Sequence, residues 1–264
     1  MRFSKSMMRP SYKISIILSV FFLFCLLIVL ATGVNEVLFV KINSSAALLS
    51  SFIWANLTFL GDTMAACAIM LLFIRKRPDL VWSGIMATIL ASLIVNLVKS
   101  YYDIPRPAAI IDKDSINIIG PALYQRAFPS GHTVTIFTLT GILMFYFRSA
   151  VARLSMVFLA FLVGMSRIAV GAHWPADVLA GAALGLMCAV TGVYLVAKFG
   201  WNSFKPLQLA IGFILIVSVF YLLLFYDSRY EQANDLKYLL SVAVLIAGIR
   251  EYILLLKRAP EVQI

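Results

Sequence analysis

The chain has two histidines, His132 and His173, and each stands beside groups suited to an oxyanion. Asp177 follows His173 by four residues, in His173-Trp174-Pro175-Ala176-Asp177. With Pro175 in the first turn of a helix, the carboxylate can approach the imidazole from the same face. A carboxylate on one ring nitrogen fixes the tautomer and leaves the other nitrogen free as a base or nucleophile. Arg167, six residues upstream, offers a planar cationic fork that matches phosphate. His132 ends Pro129-Ser130-Gly131-His132. A helix starting there, with Ser130 at its cap, turns backbone N–H groups at Ser130 and Gly131 toward an anion. Lys99 and Arg106, seven residues apart, add two further cations. Each cluster alone has a plain reading: a structural His–Asp contact, an ordinary cap, a snorkelling lysine. Three of them together do not.

The elements that hold these residues are set by composition. Of the 264 residues, 62% are hydrophobic and 13% charged, and the mean hydropathy is +0.96. A soluble domain is nearer half apolar and a quarter charged, so a polytopic membrane protein is expected. The net charge of +10 falls mainly between apolar runs, where it sets topology, so no nucleic-acid partner is expected. Cys25, Cys67 and Cys188 sit inside apolar runs without paired spacing and read as reduced core residues.

After a basic leader (Arg2, Lys5, Arg9, Lys13), the apolar segments predict eight spans: 14–31, 52–74, 80–98, 132–147, 151–170, 175–197, 206–226 and 238–256. The first is too long for an ordinary signal-peptide core and reads as an uncleaved span. Residues 35–51 are mixed and should lie along the surface. The connection from Lys99 to Gly131 is long enough to expect a job for it. With the N-terminus in the cytoplasm, thirteen Lys and Arg residues fall inside and eight outside. Both termini are then cytoplasmic in a cell inner membrane, and all three clusters face the extracytoplasmic side. Trp54, Trp82, Trp174 and Trp201 fall near predicted span ends, as an interfacial belt should.

The set Lys99-x6-Arg106-Pro107, Pro129 to His132 and Ser166-Arg167-x5-His173-x3-Asp177 resembles the three-part signature of the type 2 phosphatidic acid phosphatase family, which shares its site with vanadium haloperoxidases. The likeness covers roughly the third to sixth spans. It implies an all-α membrane bundle with a six-helix phosphatase core (about 14–197) in one domain spanning 1–264, and leaves two extra helices (about 206–256) unexplained. It also implies a lipid phosphatase acting on a lipid phosphomonoester or diphosphate, such as undecaprenyl diphosphate, phosphatidate, phosphatidylglycerol phosphate or lipid A. In that mechanism His173 is the nucleophile, Asp177 its orienting partner and His132 the general acid. Lys99, Arg106, Ser130, Gly131 and Arg167 hold the phosphate, with no metal and no cofactor. Asp62, an ionisable group inside the second span, and Arg126, in the long loop, are secondary candidates. A phosphotransferase passing phosphate between a carrier lipid and lipid A is the nearest alternative. A transporter or anion channel is the alternative of another class, although its charges should then sit near the midplane.

Overall fold

The computed structural model describes residues 5–147, 149–200 and 204–257. Arg2, Arg148 and Arg258 of the basic count, the side chains of Lys5 and Arg9, and Trp201 of the aromatic belt lie outside what it describes. Every regular element among the described residues is helical. In chain order these are α1 (Lys5–Thr32), α2 (Asn35–Ala46), α3 (Ser51–Leu60), α4 (Thr63–Leu71), α5 (Pro78–Tyr102), α6 (Pro107–Ile110), α7 (Gly131–Leu143), α8 (Ala150–Ala169), α9 (Pro175–Phe199), α10 (Lys205–Leu224) and α11 (Asn234–Leu256). Proline opens α5, α6, α9 and α10, where its missing N–H has no helical partner to lose.

Helix α9 is the hub, packed on α1, α5 and α7. Small residues let the backbones meet: a Cβ on Gly185 would stand 2.5 Å from the Val134 carbonyl oxygen, and one on Gly192 2.5 Å from that of Ser83. The later pair, α10 and α11, packs on itself and on α4. Ile17, Phe24, Leu27, Phe213 and Leu239 point outward from these helices. Such an apolar exterior suits lipid, where the backbone must satisfy itself within helices. This is a multi-pass membrane bundle.

Two predicted spans differ from expectation. Residues 52–74 do not form one helix, because the chain breaks at Gly61-Asp62. Asp62 takes an extended backbone and its side chain accepts the N–H of Met64 at 2.8 Å, which caps a new helix and ends the old one. The fourth segment, α7, has 13 residues and reaches about 20 Å, short of a roughly 30 Å hydrocarbon layer. Among the described residues six helices are individually long and apolar enough to cross a membrane, against eight spans expected. Helix α5 also runs past the predicted boundary, so Lys99 lies in its last turn rather than beyond it.

The helix ends sort the polar residues. The C-termini of α5 and α8 and the N-termini of α7 and α9 meet at one end of the bundle. At the opposite end Arg75 pairs with Glu251 (2.6 Å) and Arg77 with Asp79 (2.7 Å), tying the α4–α5 turn to α11 and to the start of α5.

Candidate active site

His173 lies in the short turn between α8 and α9, and Asp177 in the first turn of α9. One carboxylate oxygen of Asp177 accepts the Trp174 backbone N–H at 2.8 Å and stands 3.2 Å from His173 Nδ1. On the other side of the ring, Arg106 Nη1 stands 3.2 Å from His173 Nε2. A guanidinium can only donate, so Nε2 is the acceptor and the proton sits on Nδ1, directed at Asp177. Both rings of contact are buried: His173 and Asp177 are each 2% exposed. Burial, and then the positive charges of Arg106, Arg167 and Lys99, hold the His173 imidazole well below its ordinary pKa. It is therefore neutral near pH 7, with a lone pair on Nε2.

Arg106 is fixed by main-chain carbonyls. Nε donates to Gln125 O (2.7 Å), Nη1 to Ala172 O (2.9 Å) and Nη2 to Arg126 O (3.3 Å). The long connection supplies this cage by folding back on itself, with Arg106 N–H to Tyr124 O and Ala127 N–H to Ile104 O, both at 2.8 Å. Trp174 Nε1 closes it by donating to Pro105 O at 2.8 Å. Most of the Arg106 fork is thus occupied, and it acts as a fixed cation beside Nε2 rather than an open clamp. Arg126 itself is exposed, in a left-handed conformation (φ 59°), with Nη2 3.4 Å from Ser100 Oγ at the rim.

Arg167 leaves α8 buried, 3% exposed, and donates through Nη1 to the Tyr230 hydroxyl at 2.9 Å. Ser166 beside it is bonded to Thr58 at 2.8 Å, which locks the end of α8 to α3. Lys99 Nζ makes no hydrogen bond among the described residues, and its charge interacts with those of Arg106, Asp177 and Arg167.

Ser130 differs from expectation. Its N–H donates to Asp177 O at 3.0 Å, and its hydroxyl accepts from Thr133. Its backbone is therefore not available to an anion; the open N–H groups of the α7 terminus begin at Gly131. His132 stands on that first turn against the break in the second segment, where a Cβ on Gly61 would lie 3.1 Å from His132 Cβ. Its imidazole makes no hydrogen bond among the described residues. It opens on a cavity of about 340 Å³ lined also by Asp62, Ser92, Asn96, Thr135 and Tyr226. Thr63, Thr88, Thr135 and Thr138 join this space to a second, apolar cavity of about 180 Å³ lined by Cys67, Met70, Ile85 and Leu215. Asp62 sits at the cavity wall, where the Tyr226 hydroxyl donates to it in a short hydrogen bond.

All the motif residues therefore converge, while Asp62 and Arg126 line the cavity and the rim. Sequence reasoning passed over Asn35, Asn43, Tyr226 and Tyr230. Asn43 Nδ2 donates to Asn117, Ile168 and Ala169 carbonyls at 2.9–3.1 Å and Asn35 Oδ1 accepts from Ala176 at 3.0 Å, so α2 pins the long loop and both helix ends. Among the described residues no group of three or more His, Cys, Asp or Glu side chains is placed to hold a metal ion. The positive charge of the site comes from Lys99, Arg106 and Arg167.

Several known proteins resemble this chain. A family model described as the PAP2 superfamily matches residues 80–201, which include every motif residue. The bacitracin transport permease protein BcrC of Bacillus licheniformis is 34% identical over 115 residues, 44% of this chain and 55% of that one. Lipid A 1-phosphatase of Rhizobium johnstonii is 29% identical over 127 residues, covering 45% of this chain and 50% of its own. That of Rhizobium etli is 31% identical over 117 residues, with coverage of 42% and 48%. The chain spans about half the length of these curated relatives. Among solved structures, Aquifex aeolicus LpxE superposes with a TM-score of 0.56 at 27% identity, over 61% of this chain and 95% of that one.

Proposed function

We propose, from the match of residues 80–201 to the PAP2 superfamily, that this is a membrane lipid phosphatase working through a phosphohistidine at His173. The observation that carries this reading is the state of His173, with its proton directed to Asp177 and its Nε2 lone pair turned into a cluster of cations. Phosphate oxygens entering beside Lys99, Arg106 and Arg167 would draw the Arg106 N–H away from Nε2. The freed lone pair then attacks phosphorus as the P–O bond to the lipid breaks. His132, protonated once the phosphate dianion is bound, gives its proton to the leaving oxygen. Asp177 stabilises the charge that develops on the His173 ring, and the Gly131 N–H and the three cations stabilise the equatorial oxygens. Water, deprotonated by the now neutral His132, then attacks phosphorus and breaks the P–N bond. The cations supply the charge neutralisation that a Mg²⁺ would otherwise give, which supports a metal-independent reaction.

A lipid substrate is supported by the cavity beside His132, whose apolar continuation among α4, α5 and α7 can take a tail while the phosphate stays at the helix ends. Substrates of this shape are lipid phosphomonoesters and diphosphates, with lipid A, phosphatidate, phosphatidylglycerol phosphate and undecaprenyl diphosphate the ones to offer. The asymmetry of basic residues supports an extracytoplasmic site in an inner membrane, with both termini cytoplasmic. The test is purified protein in detergent given that panel, with free phosphate measured. Release from at least one lipid, and none from His173→Ala, is expected. No release from any lipid phosphate refutes the reading.

A further inference from the structure

The connection between α10 and α11 lies outside the segment that matches the family, yet it sends two side chains into the site. Tyr226 clasps Asp62, and its carbonyl is held by Lys237 Nζ at 2.9 Å. Tyr230 is 6% exposed and accepts from Arg167 Nη1 at 2.9 Å. The ring flanks the guanidinium, with 5.8 Å from its centroid to Arg167 Cζ. Ser228 Oγ donates to the Tyr230 carbonyl at 3.1 Å, and Gly120 of the long loop presses on the ring: a Cβ there would stand 2.7 Å from Tyr230 Cε1. Tyr230 therefore has little freedom to leave Arg167.

What this anchor leaves open is informative. Arg167 Nε is buried and has no hydrogen-bond partner, and no other side-chain hydrogen bond of Arg167 exists among the described residues. A guanidinium has five donors in a fixed fork. Anchoring one Nη leaves the edge formed by Nε and the other Nη, the edge that grips two oxygens at once. The same chain shows that grip at Arg77, whose Nε and Nη2 meet the two carboxylate oxygens of Asp79 at 2.9 and 2.7 Å. A buried N–H without an acceptor is costly, unless an oxyanion supplies one.

We propose that Tyr230 is a positioning residue that holds Arg167 through Nη1, so that the Nε edge faces the transferred phosphoryl group. The two C-terminal helices thereby complete the phosphate site, a role that rests on the phosphatase reading above. Asp62 and Tyr226 fasten the same connection to the opposite wall.

The test compares Tyr230→Phe with the unaltered protein in kcat, KM and inhibition by orthovanadate, on the native and on an Arg167→Lys background. Loss of one hydrogen bond to a charged group predicts about a tenfold fall in kcat/KM and weakening of vanadate. On the Arg167→Lys background, which has no fork to aim, Tyr230→Phe should change either quantity less than about twofold. Values within twofold of the native protein, or the same tenfold loss on both backgrounds, overturn the proposal. If Tyr230→Phe does not fold, Ser228→Ala, which loosens the Tyr230 backbone and spares its hydroxyl, decides by the same criteria. If the native protein releases phosphate from no lipid, the phosphatase reading fails, and vanadate-induced thermal shifts decide the positioning role. A shift weakened in Tyr230→Phe supports it; an equal shift, or none in the native protein, overturns it.

Discussion

Replacing Asp177 with asparagine changes charge while keeping shape. The amide oxygen can still accept the Trp174 N–H and the His173 Nδ1–H that the carboxylate accepts at 2.8 and 3.2 Å. What goes is the negative charge opposite an imidazole that becomes cationic as phosphorus is attacked. At the observed separation of 3.2 Å the bare Coulomb energy is about 5 kcal/mol with an effective dielectric of 20. Hydrogen bonds to charged groups contribute about 1.5–3 kcal/mol net. The smaller figure governs, because Asn keeps the hydrogen bond and Arg106 already opposes charge on the ring. Taking about 3 kcal/mol, Asp177→Asn should lower kcat about 100-fold, each 1.36 kcal/mol being tenfold. KM should move little, since Asp177 does not touch the ground-state phosphate. The assay is phosphate release at saturating lipid, with thermal unfolding to show that the fold is kept. A variant within threefold of the native kcat would remove Asp177 from the chemistry.

Three further outcomes follow from the same geometry. Activity should survive excess EDTA and fall with orthovanadate, which adopts the five-coordinate shape of the transition state; loss on chelation restored by Mg²⁺ contradicts a metal-independent site. Because His173 titrates well below its ordinary 6.5, the nucleophile stays unprotonated on mild acidification, and its imidazole should remain neutral by 15N NMR as pH falls from about 7.5 to 6.5; protonation of that ring beginning above pH 6.5 contradicts this. In a cysteine-free background, Ala109→Cys should react with an impermeant thiol reagent in intact cells and Ser149→Cys only after the membrane is opened, and the reverse pattern overturns the orientation.

The chemistry was legible in the sequence where it is local. His173 and Asp177 are one helical turn apart, and Pro175 marks the turn that joins them, so their contact follows from spacing. The motif also identifies Arg106, although not that carbonyls of Gln125, Arg126 and Ala172 occupy most of its fork. Ser130 shows the limit of cap reasoning: its N–H goes to the Asp177 carbonyl, a contact between two helix starts that periodicity does not reveal. The break at Asp62 was hidden because the flanking residues are uniformly apolar and read as one span. Tyr226 and Tyr230 were illegible for another reason. They reach Asp62 and Arg167 across 164 and 63 residues, and a tyrosine near the end of an apolar helix ordinarily reads as an interfacial anchor. Asn43, holding the α8 terminus from 125 residues away, is hidden in the same way.

The most direct test of the account is to trap the covalent intermediate. Purified protein is mixed with a lipid phosphate radiolabelled at phosphorus, quenched in alkali to preserve phosphohistidine, digested and sequenced by mass spectrometry. The expected result is an acid-labile, alkali-stable phosphate on His173, absent from His173→Ala and still formed by a His132 variant given a substrate with a good leaving group. Label on another residue, or native phosphate release by His173→Ala, would contradict it.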